Sequence, residues 1–63
     1  MQPGEIKYLG NYFIQCDEVI DPSGKSHVIW RVGEVLAGQK RYDADAGIKS
    51  FDAAVDWVAR QQS

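Results

Sequence analysis

A thiol and an imidazole are the side chains in this chain best suited to covalent chemistry. Cys16 is the single cysteine and His27 the single histidine among 63 residues. A nucleophile–base dyad needs the imidazole within hydrogen-bond reach of the sulfur, so that a thiolate can form. Whether the two meet depends on the strands that carry them. In the register derived below, Cys16 points into the core and His27 lies on the opposite face near a turn, so no catalytic residue is expected.

The other chemistries fail on spacing. One cysteine and one histidine do not make a structural zinc set. The run Asp43-Ala44-Asp45-Ala46-Gly47 resembles the start of a calcium loop. However, its third oxygen position is Gly47, its glycine position is Ile48, and its bidentate glutamate position is Ala54. It reads better as a loop leading into a helix. No phosphate-cradling glycine motif is present. The carboxylate pairs Asp17-Glu18 and Asp52-Asp56 read as solvated rather than poised in a cleft. No metal, cofactor or catalytic site is therefore expected, and the chain is read as non-enzymatic.

Composition points the same way. Seven basic residues against nine acidic ones give a net charge of −2, which does not draw the whole molecule towards nucleic acid or anionic lipid. A hydrophobic share of 44% with 25% charged residues is that of a folded chain. A lone cysteine allows no internal disulfide, and no leader or membrane-spanning run is visible, so a cytoplasmic protein without a membrane partner is expected.

Two segments rich in β-branched and aromatic residues, about Asn11 to Ile20 and Ser26 to Leu36, read as strands. Between them, Asp21-Pro22-Ser23-Gly24 has the composition of a type I turn followed by a glycine at positive φ. If Asp21 pairs with Lys25, opposing residue numbers sum to 46. Tyr12, Ile14, Cys16, Val28, Trp30 and Val32 then share one apolar face. Phe13, Gln15, Asp17, Ile29, Arg31 and Gly33 share the other.

A second turn near Leu36-Ala37-Gly38, treated the same way, places Tyr42 beside Val32 and Lys40 beside Glu34, with a register shifted by one residue as the alternative. It leads into a third strand from about Gln39 to Ala44. Ser50 is a natural N-cap, and Phe51, Ala54, Val55, Val58 and Gln62 line one side of a helix, with Trp57 flanking. Asp56 and Arg60 form an i,i+4 pair on its solvent side.

The predicted architecture is one α+β domain over residues 1–63, with 1–5 a loose lead-in. It is a three-stranded antiparallel meander packed on one C-terminal helix (β-β-β-α), and Ile6 to Tyr8 is a candidate for an extra N-terminal edge strand. One helix covers one face of such a sheet. The helix-free face would expose Phe13 and Ile29 beside Gln15 and Arg31, an apolar strip with a polar rim. Those four residues are the predicted partner-binding set, for another protein or for a second copy in a homodimer. The sheet edge offers a second route, by strand addition.

Strand-strand-strand-helix over about Tyr12 to Gln61 also resembles the small sheet-reading DNA-binding domains of the plant AP2 and phage-integrase amino-terminal type. That resemblance rests on the Asp21–Gly24 hairpin turn and on a helix following an aromatic-bearing third strand. It implies a sheet face laid in the major groove, with Gln15, Arg31 and Arg41 as contacts. Those domains carry several basic residues on that face, whereas here Asp17, Phe13 and Ile29 share it, which implies weak binding at physiological salt. In size and style the chain is also similar to small bacterial and phage accessory proteins, including inhibitors that bind host machinery.

Overall fold

The computed structural model describes residues 2–44 and 47–63. Along the chain run β1 (Ile6–Leu9), β2 (Tyr12–Ile20), β3 (Ser26–Leu36), β4 (Gln39–Tyr42) and α1 (Phe51–Gln62). The strands form one antiparallel sheet in the order β1-β2-β3-β4. The α+β class holds, but the sheet has four strands rather than three. The N-terminal segment is a full member, paired from Ile6 with Gln15 to Leu9 with Tyr12.

The β2–β3 hairpin has the register expected from its turn, from Ile20 opposite Ser26 to Tyr12 opposite Glu34. The turn fixes it by hydrogen bonding. Asp21 Oδ1 accepts from Ser23 N–H (2.9 Å), Ser23 Oγ (2.6 Å) and Lys25 N–H (2.9 Å). The Asp21 C=O accepts from Gly24 N–H at 2.9 Å, and Asp21 N–H closes the ladder onto Lys25 C=O at 2.9 Å. Gly24 supplies the positive φ of 89°.

The β3–β4 hairpin differs from expectation by one residue. Gly33 pairs with Tyr42, Glu34 with Arg41, Val35 with Lys40 and Leu36 with Gln39. The cause is the turn. Ala37 and Gly38 both have positive φ, 53° and 78°, as a two-residue type I′ connection requires. The three-residue turn assumed from sequence would have shifted the pairing. A one-residue slip exchanges the faces of a strand. Tyr42 and Lys40 therefore lie on the helix-free face, and Arg41, not Lys40, lies opposite Glu34. The strand ends at Tyr42 rather than Ala44.

Gly33 faces Tyr42 for a steric reason. A Cβ there would stand 2.0 Å from the Arg41 carbonyl oxygen and 2.9 Å from Phe13 Cε1. A side chain there would force the Arg41 backbone to shift away.

On the other face, Ile14 and Val32 are buried against Ala54 and Val58 of α1, with Leu9, Tyr12, Trp30, Ile48, Phe51 and Trp57 packed around them. Ser50 caps the helix as expected, its Oγ accepting from Ala53 N–H at 3.1 Å. Asp56 and Arg60 form the i,i+4 ion pair at 2.6 Å. The buried stripe passes through Phe51, Ala54 and Val58 with Trp57 beside it, and Val55 turns out to solvent, contrary to its expected place in the stripe. The rings of Trp57 and Tyr12 meet edge-on at 6.0 Å, and those of Phe51 and Trp30 are tilted at 5.7 Å. At the far end, Gln62 Nε2 donates to Leu9 C=O (3.1 Å) and Tyr12 OH to Gln61 C=O (3.4 Å).

Helix and strand lengths do not match. Twelve helical residues span about 18 Å, whereas eleven strand residues span about 36 Å. α1 begins over Trp30 and ends beside Leu9, so the half of the hairpin towards Asp21 extends beyond it. Val28, assigned from sequence to the covered face, is exposed for this reason. The molecule measures 39 × 22 × 21 Å along its principal axes.

Candidate functional site

Phe13, Gln15, Ile29 and Arg31 do share the face that no helix covers, as the register places them. Phe13 was expected to be exposed there, yet it is fully buried, at 0% exposure. The Tyr42 ring meets it edge-on with centroids 5.1 Å apart, and Lys40 Nζ lies 5.9 Å from its ring centre. Both arrive through the shifted register of β4, while Gly33 leaves room for the ring from below. The face carries a small second core instead of an apolar strip.

Beside it runs a polar chain. Tyr42 OH donates to Gln15 Oε1 at 2.7 Å, and Gln15 Nε2 donates to both Asp17 oxygens at 3.1 and 2.9 Å. Arg31 Nε donates to Asp17 Oδ2 at 2.8 Å, so its charge is matched within the chain. Ile29 is half-buried opposite Asp17. Arg41 sits on the helix-side face of the sheet, away from Arg31, because of the same slip.

The larger unpartnered feature lies further along the hairpin. β1 leaves β2 at Gln15, apart from the Gly4 and Glu5 backbone bonds to Cys16 (2.7 and 3.0 Å). β4 leaves β3 at Gly33, apart from the Asp43 N–H bond to Val32 C=O (2.8 Å). Beyond these points, residues 17–20 and 26–31 form a two-stranded arm with no further strand on either side among the described residues. The Asp21–Lys25 hydrogen bond sets the alternation. It directs the backbone N–H and C=O groups of Glu18 and Ile20 outward on β2, and those of Val28 and Trp30 outward on β3. Ile20 is 72% exposed, Val28 48% and Val19 38%. Sequence reasoning missed these three. The signal that could have found them is the length of the helical pattern set against the length of the hairpin.

At the tip, His27 Nε2 lies 2.8 Å from Asp21 Oδ2. The Asp21 carboxyl is lowered from 3.8 to about 2, chiefly by the Ser23 hydroxyl bond, then by His27 and by the Lys25 amide. Cys16 is buried opposite Trp30 on the helix side, while His27 stands opposite Val19 on the other face, so the structure does not bring thiol and imidazole together.

Among the described residues no three acidic, histidine or cysteine side chains gather as a cation site. Within the loop 43–47, Asp45 and Ala46 lie outside the described residues. Two clefts flank the departing β4. One, of about 200 Å³, lies between Tyr12, Glu34, Arg41 and Trp57. The other, of about 280 Å³, lies between Trp30, Arg31, Asp43 and Ile48. Both fall below the usual size of sites that enclose a small organic ligand.

No described helix is long and apolar enough to cross a membrane. No family model, curated protein or solved structure matches the chain.

Proposed function

We propose that this chain is a non-enzymatic protein-interaction module that presents the β2–β3 arm to its partner, a second copy of the chain included. The observation that carries this reading is the arm itself. Exposed Val19, Ile20 and Val28 stand beside open strand edges, on a ribbon that no further strand pairs with among the described residues. Open edges accept a further strand through backbone hydrogen bonds, and adjacent aliphatic side chains add apolar contact. The helix-free face supports the reading less, because Phe13 is enclosed and Arg31 is paired with Asp17. That pairing also weakens the DNA-binding alternative, since a matched guanidinium has less to offer a phosphate.

The test is an Ile20→Ser, Val28→Ser double variant compared with the wild type by sedimentation over a wide concentration range and by affinity capture. Both side chains are exposed in the isolated chain, so the thermal transition should hardly change. Concentration-dependent mass, or a captured protein, that the variant loses is the expected result. If mass and captured proteins are the same for both chains, the arm is idle and the reading fails. Association that collapses steeply from low to physiological salt would instead favour phosphate contacts.

A further inference from the structure

We draw no further inference here: the strongest candidate, the open outer edge of β3 at Val28 and Trp30 beside the cleft bounded by Asp43 and Ile48, belongs to the arm already described, and nothing in the structure shows which strand covers it.

Discussion

Replacing Phe13 with Ala tests the point on which the whole helix-free face turns. Phe13 is fully buried between Tyr42, Lys40 and the backbone at Gly33, so its removal opens a cavity that its neighbours fill only in part. Phe-to-Ala changes at such sites cost about 3–5 kcal/mol. A 63-residue chain has a total stability of roughly 3–9 kcal/mol. The variant should therefore lose at least about a third of its stability, and be unfolded outright if the total lies at the lower end of that range. Urea titration followed by the fluorescence of Trp30 and Trp57 reads this directly. With a slope of about 1 kcal/mol per molar urea, the midpoint should fall by roughly 3–5 M. Ile20→Ala, at a site 72% exposed, is the control and should move the midpoint by no more than about 0.5 M. An unchanged midpoint for Phe13→Ala would refute the reasoning. Phe13 would then be solvated, and β4 would hold the register with Tyr42 on the helix side.

Three further perturbations probe the turns and the close contact. Ala37→Asn should stabilise the chain by about 0.5–1 kcal/mol, seen as a higher melting temperature, because Asn adopts the left-handed conformation more readily than Ala. Gly33→Ala should cost about 1–3 kcal/mol in urea unfolding, at the upper end of that range, because the 2.0 Å contact is with backbone that cannot rotate away. The Asp21 carboxyl has a lower pKa folded (about 2) than its ordinary 3.8, so its stabilisation is present above pH 3.8 and is lost as pH falls towards 2. Stability measured across that interval should fall less steeply for Asp21→Ala than for the wild type.

The parts of the fold that were legible in the sequence are those fixed by short-range chemistry. Asp21-Pro22-Ser23-Gly24 satisfies its own hydrogen bonds, so it sets the β2–β3 pairing without help from elsewhere. Ser50, whose hydroxyl accepts from Ala53 N–H, fixed the start of the helix in the same way. The β4 register was not legible, because Ala37 occupies a conformation that Asn, Asp or Gly usually fills, and the type I′ signal was therefore hidden. That single residue carried the error into the candidate site. With Tyr42 on the helix side, as the three-residue turn implies, Phe13 has no cover; with Tyr42 opposite Gly33 it is enclosed. Gln15, Ile29 and Arg31 were placed on the right face, but the bond of Arg31 to Asp17 depends on side-chain reach across the ribbon, which alternation alone does not reveal. The exposed arm depends on where the helix starts relative to the hairpin, and that is a tertiary relation.

The arm is fastened at both ends and bare between them. The Asp21 carboxylate clasps the tip through Ser23, Lys25 and His27, and the chain Tyr42–Gln15–Asp17–Arg31 ties the base to β4. An isolated two-stranded ribbon is only marginally stable in water, and such a ribbon ordinarily frays from its loose end. Here neither end is loose. The easiest opening is a bubble in the middle, around the Glu18–Val28 pair, with the turn still closed. The tip then remains a formed hairpin while the strands below it breathe. Among the hydrogen-bonded amides of the arm, exchange should accordingly be faster at Val19 than at Asp21 and Lys25, the reverse of the gradient that fraying produces.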